Sequence, residues 1–299
     1  MARLFNAYVA VRWSTAAKPT TGPDSVWIGV LKRDVRFRFA FEAHNPPTRA
    51  QAEALLGELL TDRAKRRERA LMVVDFPLGF PRGLAAGLNL PGEAPWRAVW
   101  DQVTKMVRDR PDNVNNRFGV GSEINRRLTD GPFPFWGCPP RDTLTTLQPK
   151  RGRDHGPGDV PEFRHVEEGV KGANPIWKLY YNGAVGGHAI LGIPMVQRLK
   201  QARGAGMKAW PFETGFKTIS ENDLAGVDLV VAEASPSLGP AMAPAPGESK
   251  DAASLRSMVE QLARLDEAGK LAAMFAPAKD AAAAVVETAQ AEEGWTLGA

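Results

Sequence analysis

The chain has 299 residues, 43% of them hydrophobic and 24% charged, with a formal net charge of +4. That suffices for a large core, built as one extended domain or as a core domain with a sizeable insertion. A single cysteine, Cys138, excludes both a disulfide framework and a cysteine-built zinc site within one chain.

Met1-Ala-Arg-Leu-Phe-Asn6 lacks the apolar stretch of a signal peptide, and no run approaches the roughly 18 apolar residues of a membrane span. No membrane partner is expected, and the plain expectation is a soluble, cytoplasmic protein. Basic residues cluster in Arg63-Ala-Lys-Arg-Arg-Glu-Arg69 and Lys150-Arg-Gly-Arg153. Each cluster reads as a solvated helix face or loop, with a nucleic-acid contact surface as the competing reading.

Residues 4–13, 25–33 and 35–43 read as three strands. The second is mainly apolar, and Val35-Arg-Phe-Arg-Phe-Ala-Phe41 alternates as a half-exposed strand does. The short turn around Lys32-Arg-Asp34 suits an antiparallel hairpin. Thr48 has the character of a helix N-cap, and Ala52, Leu55, Leu56, Leu59 and Leu60 supply an apolar stripe reaching to about Arg67. A fourth strand, Leu71-Met-Val-Val-Asp75, closes on a carboxylate and runs into Phe-Pro-Leu-Gly-Phe-Pro81. This β-β-β-α-β opening predicts a mixed sheet whose fourth strand returns parallel to the first. The C-terminal ends of such strands are where open α/β sheets place chemistry. Arg12 stands at the matching point of the first strand.

Strand patterning lapses over residues 82–206. Helices are expected at Ala94–Arg110, ended by Pro111, at Asn115–Leu128, and at Gly183–Arg203, with a kink or break near Gly192 and Pro194. Residues 129–175 read as a long, partly irregular excursion. The whole stretch is expected to be a mainly helical insertion or cap on a core formed by residues 1–81 and 207–299, with Asn116, Arg117 and Trp136 facing the cleft. The sheet resumes at Met207–Glu213 and Val227–Glu233, and helices follow at Asp251–Leu265 and Lys279–Ala291.

Eight strings occur in order: Val11-Arg-Trp-Ser14, Asp75-Phe-Pro-Leu-Gly-Phe-Pro81, Asn115-Asn-Arg-Phe118, Pro134-Phe-Trp-Gly137, Trp210-Pro-Phe-Glu213, Ala232-Glu-Ala-Ser-Pro-Ser237, Lys279-Asp-Ala281 and Glu292-Glu-Gly-Trp295. Together they resemble the DUF429 group of predicted ribonuclease-H-like nucleases, over nearly the whole chain. They are most similar to a bacterial branch whose members often carry labels from molybdopterin-guanine dinucleotide or cobalamin biosynthesis. The resemblance implies an α/β, ribonuclease-H-like mixed five-stranded sheet, three antiparallel strands first, flanked by helices. It also implies acidic residues gathered from strand 1, strand 4 and a later element. By position these are Asp75, Glu233 and Asp280, with Arg12 where the first aspartate is expected.

Asp75, Glu233 and Asp280 are therefore the candidate catalytic and metal-binding residues, with Arg12 beside them. Two Mg²⁺ or Mn²⁺ ions about 3.5–4 Å apart would clamp an in-line phosphodiester displacement, and hard cations demand such oxygen ligands. Arg12 opposes that. At about 4 Å and an effective dielectric of 20, each unit-charge interaction is worth about 4 kcal/mol before desolvation. A guanidinium there suits a phosphate or carboxylate better than a dication. Ser14, Asn116, Arg117, Trp136 and Glu213 are the candidate substrate-binding residues, Trp136 as a stacking surface; the competing readings are a brace for the inserted helices at Asn116 and Arg117 and a core or lid tryptophan at Trp136. Gly183-Ala-Val-Gly-Gly187 lacks the Gly-Lys-Ser/Thr of a P-loop and reads as close helix packing or a helix entry. Two functions remain open: a phosphodiester hydrolase acting on nucleic acid or a nucleotide through a degraded metal site, or a non-nuclease anionic-ligand-binding or accessory protein in cofactor metabolism.

Overall fold

The computed structural model describes residues 3–34, 36 and 38–299. Six strands form one mixed sheet: β1 (Ala7–Arg12), β2 (Trp27–Arg33), β3 (Phe39–His44), β4 (Ala70–Val74), β5 (Met207–Ala209) and β6 (Leu229–Glu233), in the order β3-β2-β1-β4-β6-β5. β2 is antiparallel to both β1 and β3; β4 runs parallel to β1 and β6, and β5 parallel to β6. The resemblance implies five strands; the strand patterning of the chain places six, and six form, the additional one being the three-residue edge strand β5 beyond β6. The third strand begins at Phe39, and its predicted start at Val35 lies outside the described residues.

Central strands are apolar on both faces because helices cover both. Ala7, Val9, Val11, Met72, Val74 and Val231 face one core, and Tyr8, Ala10, Leu71, Val73 and Val230 the other. The first core is covered by α1 (Arg49–Lys65), by α3 (Pro95–Met106) through Trp96, Val99 and Trp100, and by α5 (Gly186–Arg203). Between them lie α2 (Leu84–Gly87) and α4 (Arg117–Thr129). The second core is covered by α6 (Lys250–Glu267) through Leu255, Met258, Val259 and Leu262; α7 (Ala283–Thr288) and a π-helical turn, Ala289–Glu293, follow. Residues 82–206 thus share one continuous core with β1, β4 and β6.

Several boundaries move for local reasons. Thr48 caps α1 as expected, its hydroxyl accepting from Gln51 N at 3.2 Å. α3 stops at Met106, four residues early, because Asn116 takes over the backbone beyond it. Its amide donates to Met106 O at 3.0 Å and accepts from Arg108 N at 2.7 Å. Pro194 does not break α5, and the close approach there belongs to Gly192, where a side chain would run into the Phe76 ring. β5 ends at Ala209, since Pro211 has no N–H for a ladder. The helix expected from Lys279 begins at Ala283, after a turn. The excursion between α4 and α5 holds only two short 3-10 turns, Pro140–Asp142 and His165–Glu167. The layer over the sheet is therefore less helical than expected.

Candidate functional site

The C-terminal ends of β1 and β4 open into a cleft of about 1000 Å³. Its floor carries Arg12, Trp13, Thr15 and Asp75; its far wall is the run Lys178–Val185 together with His188. The parallel ladder continues past β4 through Asp75 N, which donates to Val11 O at 3.1 Å, so Asp75 is fixed beside the end of β1. Its Oδ1 accepts from Trp13 N at 2.9 Å, and Arg12 Nε lies 3.6 Å from Oδ2. Arg12 also pairs with Asp251 on α6. Burial raises the Asp75 carboxyl above its ordinary range, against the opposing pull of His188, the Trp13 N–H and Arg12.

That elevation has a consequence for stability. The folded chain holds the Asp75 proton more tightly than the unfolded chain does. This contribution is complete below the ordinary value of 3.8 and is lost as pH rises through the elevated one. Asp75→Asn is accordingly expected to lose less stability than wild type as urea denaturation is repeated from acid to neutral pH. Parallel profiles for the two proteins would contradict the burial argument.

The other expected residues sit elsewhere. Glu233 pairs in register with Val74 and so points to the first core, while Arg12 is in phase with Tyr8 and Ala10 and turns toward α6. Both Glu233 oxygens are held by Arg164, at 2.7 Å each, and Thr296 Oγ1 adds a bond of 2.8 Å to Oε1. Asp280 is exposed in the turn before α7. Glu213 accepts from Ala209 N at 2.9 Å and pairs with Lys200 and Arg97. Ser14 is buried and donates to Asp24 O at 2.7 Å, bracing the turn after β1. Trp136 is half-buried, and its backbone pairs with Trp177 and Leu179, which fixes the cleft wall without lining it. Among the described residues, no three His, Cys, Asp or Glu side chains group so as to hold a metal ion.

Arg117 is only 6% exposed. Its Nη1 reaches Asn115 Oδ1 at 3.0 Å and its guanidinium lies 4.3 Å from the Phe118 ring centre, but its buried Nε has no hydrogen-bond partner. Burial, then the nearby charge of Arg49, lowers its pKa to about 10, so it stays cationic at neutral pH. Most arginines of the basic clusters are paired with carboxylates in place. Arg63 pairs with Asp62 and Glu68, Arg69 with Glu221, Arg151 with Asp154 and Glu162, and Arg153 with Asp159.

Sequence reasoning missed the far wall. Tyr180 and Tyr181 are 39% and 48% exposed, with ring centres 4.8 Å apart. His188 Nδ1 is 2.9 Å from Ala184 O, which leaves Nε2 as the ring nitrogen free of that bond. A usable signal existed: two of the chain's three tyrosines are adjacent, just before the glycine-rich string. Arg164 was also missed, since nothing local marks a buried arginine in an irregular segment. Compared with models of known families, with curated proteins and with solved structures, the chain has no match in any of the three.

Proposed function

We propose that this is a ribonuclease-H-like protein of nuclease ancestry whose cleft binds a phosphate-containing ligand, a nucleotide or a nucleic-acid end, without a two-metal centre. The sheet order, with three antiparallel strands followed by parallel β4, supports the ancestry. The observation that carries the reading is Arg12: its guanidinium stands 3.6 Å from Asp75, where a first metal-binding aspartate is expected. Two further features support it. Lys178 adds a second cation to the lining, and the paired tyrosines offer a surface on which a planar base stacks.

The donor set fits a pair of divalent ions poorly. Asp75 already faces a cation, and Glu233 gives both oxygens to Arg164. In the remaining chemistry, Asp75 and His188 are the cleft's acid–base groups, and Arg12 holds the Asp75 carboxylate in place. A role in cofactor metabolism has no residue of its own to support it.

Titration with Mg²⁺ and Mn²⁺, together with a panel of nucleotide and oligonucleotide substrates, tests this. Wild type is expected to bind nucleotide with little dependence on metal and to cleave weakly or not at all. Arg12→Asp is expected to gain Mg²⁺ affinity, because it removes a positive charge and adds a hard oxygen ligand. Robust Mg²⁺-dependent cleavage by wild type that disappears in Asp75→Asn would overturn the proposal.

A further inference from the structure

The sheet has two edges, and they are built differently. β5 is three residues long and Pro211 follows it, so that edge offers little to a further strand. β3 is six residues long, with no proline, lysine or bulge between Phe39 and His44. Asp34 N donates to Arg38 O at 2.8 Å, which fixes the phase of the β2–β3 ladder. In an antiparallel pair such bonded positions alternate. Carried along the register, Arg38, Ala40, Glu42 and His44 bond to β2, whereas the N–H and C=O groups of Phe39, Phe41 and Ala43 point away from it. Among the described residues, no hydrogen bond from another segment reaches those three.

The side chains divide in the same alternation. Phe39 and Phe41 lie half-buried on the α6 face, where with Leu31, Ala263 and Arg264 they line a groove of about 250 Å³. Arg38 and Glu42 take the other face. Their side chains are 70% and 43% exposed, in surface ion pairs with Asp34 at 3.4 Å and Lys32 at 2.9 Å.

About Ala40 this string is self-complementary. Arg38-Phe-Ala-Phe-Glu42, set antiparallel to a second copy of itself, places Arg38 opposite Glu42, Phe39 opposite Phe41 and Ala40 opposite Ala40. Phe39 and Phe41 then exchange main-chain bonds through the groups that β2 leaves unused. The charged pairs fall at non-hydrogen-bonded positions, where cross-strand side chains come closest. Other axes lose this match. One at Phe41 sets Arg38 against His44, one at Glu42 sets that carboxylate against itself, and one at Phe39 carries the pairing into the turn.

We propose that β3 is a self-association edge: two copies of this chain join β3 to β3, antiparallel about Ala40, so that the sheet continues from one copy into the other. The proposal is independent of what the cleft binds.

Sedimentation and light scattering of the whole chain test it, at about 1–100 µM, the range of a weak to moderate contact. A monomer–dimer equilibrium is expected, with no larger species, because a two-fold pairing uses up the edge. Arg38→Glu and Glu42→Arg should each weaken it at least about tenfold, since each sets like charges opposite one another at both ends of the pairing. An equimolar mixture of the two variants should dimerise as wild type does, because opposite charges then face each other again. Ala40→Cys should crosslink to its own copy under mild oxidation. The paired Cα atoms would stand about 4.5 Å apart, within reach of a disulfide. Ala17→Cys, at an exposed position away from β3, should not, and the native Cys138 is buried. Should Glu42→Arg unsettle β3 through its closeness to Lys32, the cysteine variant still decides.

A wild type that stays monomeric at about 100 µM overturns the proposal. So does a dimer that neither charge variant weakens, or one in which Ala40→Cys crosslinks no faster than Ala17→Cys. Weakening by each charge variant with recovery in the mixture supports β3 in this register, because a dimer built on another surface would respond to neither.

Discussion

Arg164→Ala is expected to destabilise the fold by about 3–5 kcal/mol, the cost of stripping one partner from a buried ion pair. Arg164 is 1% exposed and bonds both oxygens of Glu233 at 2.7 Å, Glu167 Oε1 at 2.9 Å, and Glu293 O at 3.2 Å. Burial alone would lower its pKa; the charges of Glu233 and Glu167 overcome that and hold it above its ordinary value. Without the guanidinium, Glu233 and Glu167 repel each other in a site that water enters poorly. The damage reaches the cleft, because Arg164 ties the segment between α4 and α5 to the end of β6, and that segment continues into the Lys178–Val185 wall. Urea denaturation of the single variant checks the figure. A loss below about 1 kcal/mol, the range of an exposed pair, would mean that the cluster is wetter than its burial implies. Adding Glu233→Leu to Arg164→Met should recover part of the stability, since it removes the more deeply buried of the two carboxylates that Arg164→Met leaves unpaired.

Trp100→Ala is expected to cost a similar amount, about 3–5 kcal/mol. Trp100 is fully buried, meets the Trp96 ring edge-on at 4.9 Å, and donates from Nε1 to Leu78 O at 2.6 Å. That bond pins the proline-rich turn that follows Asp75. Trp100→Phe separates the two contributions: it keeps most of the burial but orphans the Leu78 carbonyl, and should cost about 1–3 kcal/mol. If both variants unfold at the wild-type urea concentration, α3 is not a structural part of the core. Both losses should be accompanied by a weaker cleft, visible as reduced ligand affinity at temperatures well below unfolding.

Much of the sheet was legible because its signals are local. Apolar runs such as Leu71–Val74 are strand-length and bounded by turn residues, and the hairpin and the crossover helix follow from short spacings. The site was legible only in part. A strand that ends on a carboxylate announces an acid but not the face it takes. Asp75 lies one residue past the strand, whereas Glu233 pairs with Val74, and that offset separates their surroundings. Register arises between strands, so neither string reveals it alone. Asn116 carries two readings, a ligand-holding amide or a brace for the inserted helices, and its hydrogen bonds, which terminate α3 and space the next helix, fit the second. The far wall escaped notice because Tyr180, Tyr181 and His188 reach the cleft through an irregular path, and no periodicity encodes such a path.

Asp266 binds the far end of the chain: its oxygens accept from Leu4 N and Phe5 N at 2.9 Å each and from the Tyr8 hydroxyl at 2.7 Å. During synthesis this contact has a duration as well as a length. Asp266 is made 262 residues after Leu4, an interval of roughly 13–50 s at about 5–20 residues per second. For that time β1, central to the sheet, has its hairpin partner β2 and later β4, while the face that α6 will cover remains open. Tyr8, Ala10, Leu71 and Val73 therefore stay exposed until α6 has left the ribosome. The nascent chain should need a chaperone's shelter in proportion to the delay, so slowing translation after β4 would raise aggregation, and supplying residues 250–267 as a separate peptide would lower it.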